Sequence, residues 1–204
     1  MVGEIQGIQM SRNNRKTGVS MLVALLLVAS ASWATLVPRM SFEEVVARSQ
    51  SIVQGTVQRT WSEWDDSKTS IWTHYEIEVS VCLKGEESKT IVVSEPGGTV
   101  DGKTMRIAGT PKYAVGEEVM LFATPTPIGY VRTCGWGQGK FEVSASGASP
   151  SGKSVRSSLA GVQLVEGKGP GLARAQTPLR SLQGMDLAQF KERVRRMVAG
   201  QEIR

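Results

Sequence analysis

The amino-acid sequence predicts a mainly β fold, a small closed or nearly closed antiparallel barrel with a short helix before it and a second helix after it. Three observations predict this. Between residues 51 and 143, branched and aromatic residues alternate with polar ones in short runs, the period of strands half buried on one face. Clusters of Gly, Pro and Asp separate the runs as turns do. On either side the period changes to the apolar stripe of an amphipathic helix. About five or six strands at this spacing favour closure, because an open sheet of that size leaves vulnerable edges.

The first helix starts at Ser41-Phe42-Glu43-Glu44, a capping box in which Ser41 accepts from the first turn and Glu44 reaches back. It runs to about residue 49. Its single stripe of Phe42, Val45 and Val46 plugs or flanks the β core. A strand over residues 52–61 leads to the hairpin tip Trp64-Asp65-Asp66-Ser67-Lys68. The partner strand, residues 71–83, places Ile71, Thr73, Tyr75, Ile77, Val79, Val81 and Leu83 on one face. Trp72, His74, Glu76, Glu78, Ser80 and Cys82 fall on the wetter one.

Residues 90–95 form a shorter strand stopped by Pro96-Gly97-Gly98, and residues 103–107 add an edge strand. Another strand, residues 119–123, is entered by the turn Val115-Gly116-Glu117. Residues 130–133 and 140–143 read as a final hairpin around Gly135-Trp136-Gly137-Gln138-Gly139. The glycines there permit a tight turn, and a strand follows them rather than the helix a phosphate loop requires.

Ahead of the barrel lies an export signal: basic residues at Arg12, Arg15 and Lys16, an apolar run over residues 21–29, then Ala29-Ser30-Ala31 and Ser32-Trp33-Ala34 at signal-peptidase spacing. The run is about ten residues where a spanning helix needs about twenty, so the membrane is met only through the leader. Met10 and Met21 are alternative starts. The expected division is a signal peptide over 1–34, a barrel domain with its helix over 35–146, a flexible linker with one extra strand over 147–184, and an amphipathic helix over 185–204. In that last segment Leu187, Phe190, Val194, Met197 and Val198 oppose Lys191, Arg193, Arg195 and Arg196. The stripe needs a partner, either the barrel or another molecule. The expected location is periplasmic or extracellular.

The net charge of +5 shrinks when the leader goes: residues 1–34 hold three basic side chains and one acidic, which leaves 21 against 18. That is too small a surplus to argue for nucleic acid. Cys82 and Cys134 are the two cysteines, and export allows them to bridge or to remain separate. His74 is the single histidine, so any Ser-His or Cys-His mechanism must use it; the spacing here reads as a histidine on a sheet surface. Two separated cysteines and one histidine do not make a zinc set, so no metal or cofactor is expected. The adjacent carboxylate pairs sit in turns or helix starts, and no catalytic residue is assigned. Trp61, Trp64, Trp72 and Trp136, with His74, are the candidate binding residues, because large aromatics near turns either anchor a partner or a sugar ring or fill the barrel mouth.

The segments Ile52-Val53-Gln54-Gly55-Thr56-Val57, Tyr75-Glu76-Ile77-Glu78-Val79 leading to Leu83-Lys84-Gly85, and Val115-Gly116-Glu117-Glu118-Val119-Met120-Leu121-Phe122 resemble the OB-fold barrel of netrin-like modules and tissue inhibitors of metalloproteinases. With Gln138-Gly139-Lys140-Phe141 they are also similar to exported bacterial proteins of uncharacterised function. The resemblance covers about residues 45–143 and implies a barrel whose loops or open face bind a partner. The animal inhibitors hold the protease zinc with an amino-terminal cysteine. Here the processed chain begins near Thr35-Leu36-Val37-Pro38, so that mechanism does not carry over. The expected function is a non-enzymatic binding module, directed at a secreted protease or other extracytoplasmic protein. The alternatives are a binder of single-stranded nucleic acid or glycan through the OB-like face, and an enzyme of unfamiliar type.

Overall fold

The computed structural model describes residues 37–158, 164–165 and 179–200. The leader over 1–34 and most of the expected linker, residues 159–163 and 166–178, lie outside the described residues. Elements run in the order β1 (Val37–Pro38), α1 (Phe42–Arg48), β2 (Ser51–Trp64), β3 (Ile71–Lys84), β4 (Thr90–Pro96), β5 (Gly98–Val100), β6 (Lys103–Met105), β7 (Glu118–Pro125) and β8 (Val131–Thr133). A 3-10 turn (Trp136–Gly139), β9 (Lys140–Ala145), β10 (Lys153–Ser157), β11 (Leu164–Val165), a second 3-10 turn (Leu179–Leu182), β12 (Met185–Asp186) and α2 (Leu187–Val198) follow.

The fold is mainly β, with a large antiparallel sheet in the order β12-β10-β9-β7-β2-β3-β4; β8 also pairs with β7. Among the described residues the backbone ladder does not close on itself. β7 holds the centre because Val119, Met120, Leu121, Phe122 and Ala123 are buried on both faces: Met120 and Phe122 face the helices, while Val119, Leu121 and Ala123 face the opposite side. On that side Val53, Val57, Tyr75, Ile77, Val93 and Tyr113 complete an inner core.

The helices cover the other face. The capping box of α1 forms as expected, with Ser41 Oγ accepting the Glu44 N–H at 3.1 Å and Glu44 Oε2 accepting the Ser41 N–H at 2.8 Å. This seats Phe42 among Phe122, Phe141 and Phe190 at centroid separations of 5.8, 5.9 and 5.2 Å. α2 starts at Asp186, whose Oδ1 accepts the N–H groups of Ala188 and Gln189. Leu187, Phe190, Val194 and Met197 turn inward, so its stripe finds its partner in the chain's own sheet. Val198, expected on that stripe, is 39% exposed.

Three expectations need correction. Residues 130–133 and 140–143 do not form a hairpin: β8 and β9 both pair with successive stretches of β7, and the 3-10 turn passes between them. β9 instead makes its hairpin with β10, a strand of Lys, Ser, Val, Arg and Ser inside the segment expected to be linker with one extra strand; the one buried apolar anchor, Val155, suffices because β12 pairs on its far side. Residues 103–105 pair with β5 in a separate two-stranded ribbon, not on the main sheet. Finally, the alternation along β3 breaks at Ser80, where the pairing with β2 shifts register, so Cys82 packs with Val79 on the inner core and Leu83 on the helix side.

Candidate aromatic recognition site

Antiparallel register sets the site on the face of β2, β3 and β4 that is turned away from the inner core. Trp61 lies opposite His74 and His74 opposite Ser94, while Glu63 lies opposite Trp72 and Trp72 opposite Pro96. Directly opposed residues share a face, so these six side chains form two adjacent rows. Tyr130, just before β8, reaches over both: its ring is 4.6 Å from Trp72 and 5.6 Å, edge-on, from His74. Trp61 stacks on His74 at 5.1 Å and 24°.

Arginine begins the array at one end and links it to Trp136 at the other. Arg59 sits 4.5 Å over Trp61; Arg132 sits 4.6 Å over Trp136 and 5.9 Å over Trp72. The result is a continuous row, Arg59, Trp61, His74, Tyr130, Trp72, Arg132, Trp136. Arg132 is held from beneath by Glu95, whose Oε2 accepts its Nε and Nη2 at 3.2 and 3.0 Å. Glu95 is fully buried, and burial pushes its carboxyl upward while Arg132 and Thr133 pull it down.

His74 is not a surface histidine. It is 4% exposed and Trp72 is 9% exposed, because the rings of Trp61 and Tyr130 cover a face that alternation alone marks as wet. Trp61, Tyr130 and Trp136 are half-buried and carry the accessible aromatic area. Trp64 stands apart at the end of β2 under Lys103, 5.7 Å from its ring. Of the five candidates, then, Trp61, Trp72 and His74 meet directly, Trp136 joins through Arg132, and Trp64 does not join. Sequence reading missed Arg59 and Glu63, although period two from Trp61 marks both. It also missed Tyr130, Arg132 and Ser94, which arrive from other strands without a local signal.

Ser94 Oγ and His74 Nδ1 are 2.8 Å apart. Nε2 has no aligned hydrogen-bond partner and lies 3.2 Å from Glu63 Oε1. Burial pushes the imidazole down, and Glu63 opposes it. The order serine, histidine, carboxylate is that of a nucleophile relay, but Ser94 is 3% exposed. Two clefts of about 570 Å³ lie elsewhere, on either side of residues 110–112, one floored by Tyr75 and Glu95 and the other by Lys140 and Glu117. Cys82 and Cys134 are both free; they pack in different cores, so the bridge that export allows is not formed. Among the described residues, no group of three His, Cys, Asp or Glu side chains is placed to hold a metal ion.

Comparison of the chain with models of known families, with curated proteins and with solved structures finds no match.

Proposed function

We propose that the chain is an exported, non-enzymatic binding module, an OB-like barrel that recognises a secreted protein, such as a protease, through its aromatic row. The observation that carries this reading is the fixed stack running from Arg59 through Trp61, His74 and Tyr130 to Trp136. Rings locked in this way lose little entropy when a partner packs on them, and half-buried Trp, Tyr and Arg are the residue types that dominate binding energies. The OB-like reading draws support from the strand order β8-β7-β2-β3-β4, whose two ends are drawn together by Glu95.

The test is affinity capture from periplasm or culture supernatant, comparing the purified chain with a Trp61→Ala, Trp136→Ala double variant of unchanged circular dichroism. A single protein retained by the first and lost from the second is the expected result. Equal retention by both, or no retained protein, overturns the reading.

The relay of Ser94, His74 and Glu63 favours a second reading, an acyl-transferring enzyme of unfamiliar type. Labelling of Ser94 by a fluorophosphonate, abolished in His74→Gln, would install it. A native chain that stays unlabelled removes it.

A further inference from the structure

One end strand of the main sheet, β4, is long and has no partner strand on its outer side among the described residues. β12 has two residues and β8 three, short enough to offer little template for pairing. β4 pairs with β3 over its whole length, and among the described residues no backbone ladder runs along its other side. Its upper end is engaged, since Glu95 reaches β8. Its lower end is Thr90, Ile91, Val92 and Val93, an uncharged run of branched residues without proline, glycine or register shift. Natural sheets avoid that composition at an edge that stays free. Val92 is 37% exposed, and Ile91 is only partly buried against the inner core.

The outward-facing backbone groups follow from the pairing. The Lys89 carbonyl accepts from Val79, and the Gly97 N–H donates to Ile71, so the odd-numbered residues of this strand turn toward β3. Alternation then turns Thr90 and Val92 outward. Thr90 agrees: the Ser88 hydroxyl donates to its carbonyl at 2.8 Å and accepts its N–H at 3.4 Å. Val92 has no such local substitute among the described residues.

We infer that two copies of the chain pair antiparallel along this edge, Thr90 releasing the Ser88 hydroxyl as Thr90 and Val92 of one copy exchange backbone hydrogen bonds with Val92 and Thr90 of the other, with Ile91 facing its own copy across the two-fold axis. A two-fold interface requires one patch that complements itself. This edge meets the requirement: outward groups recur at every second residue, and the paired residues carry no charge to repel a copy. The segment also stops short of Glu95, so β8 does not obstruct the second strand. The inference stands independently of the aromatic row.

Sedimentation velocity of the purified chain over a dilution series tests it. A monomer and dimer in concentration-dependent exchange is expected. Val92→Pro, which deletes an outward N–H, and Ile91→Lys, which places charges at the axis, should each raise the dissociation constant by about tenfold or more. Hydrogen exchange on the unmodified chain gives a check that needs no variant, since the Val92 amide should gain protection as concentration rises. A monomer at every concentration, a dimer that both folded variants preserve, or a Val92 amide indifferent to concentration would each overturn the inference.

Discussion

Glu95 Oε1 accepts the backbone N–H of Thr133 at 2.7 Å, so a side chain of β4 stands where a carbonyl of a neighbouring strand would otherwise meet β8. The same carboxylate fixes Arg132 through Oε2, and Arg132 in turn lies 4.6 Å over the Trp136 ring. One buried group therefore links the seam of the sheet to the aromatic row.

Glu95→Ala should be among the most destabilising single changes in the chain. It strips the partner from a buried N–H and from a guanidinium that is 20% exposed. Breaking such a pair costs about 3–5 kcal/mol, and the partial exposure of Arg132 places this case toward the lower end. Urea unfolding measures it; a loss below about 1 kcal/mol, the size of an ordinary hydrogen bond, would show that the seam does not depend on this residue.

His74 gives the fold a pH dependence of definite sign. Burial holds its folded-state value below the ordinary 6.5, with Glu63 opposing. Below 6.5 the unfolded chain takes up the proton before the folded one does, so stability falls as pH drops from 6.5 toward the folded value and is level above 6.5. Unfolding free energies measured across this window should slope in the native chain and flatten in His74→Gln. Equal slopes in the two proteins would place the titrating group elsewhere.

The alternation of β2, β3, β4 and β7 and the cap of α1 were legible because each depends on neighbours in sequence. What escaped depends on distant partners. Cys82 and Leu83 change faces because β3 slips past β2 at Ser80, a relation between strands that neither strand encodes alone. β10 has one buried apolar residue and was masked by its serines and lysine, yet it lies between two strands. The site divides in the same way. Trp61 and His74 fall in register on adjoining strands, whereas Tyr130, the ring that meets His74 edge-on, comes from a loop more than fifty residues downstream.

Gly55 should not tolerate a side chain. A Cβ there would collide with the Glu78 carbonyl oxygen and lie 2.7 Å from Ile77 Cγ2, and the carbonyl belongs to the β3 ladder and cannot rotate away. Gly55→Ala is expected to cost about 1–3 kcal/mol through forced overpacking. Gly147→Ala, where a Cβ meets nothing within 4 Å, serves as the control and should be nearly neutral. A neutral Gly55→Ala would mean that β2 can move off β3 at this point.

The thiols make the last prediction. Cys134 is 3% exposed in the helix-side core, where burial pushes its thiol up against the pull of Ser49, Arg48 and Lys84. Cys82 is half-buried against the opposite core. A thiol must ionise and meet solvent to react, so dithionitrobenzoate should modify Cys82 first and reach Cys134 only when the chain opens. Because no bridge joins the two, reductant should leave the unfolding midpoint unchanged. A closed loop of this length stabilises by about 2–4 kcal/mol, so a clear drop in the midpoint on reduction would reveal a disulfide, and with it a rearrangement bringing both cysteines to one side of the sheet.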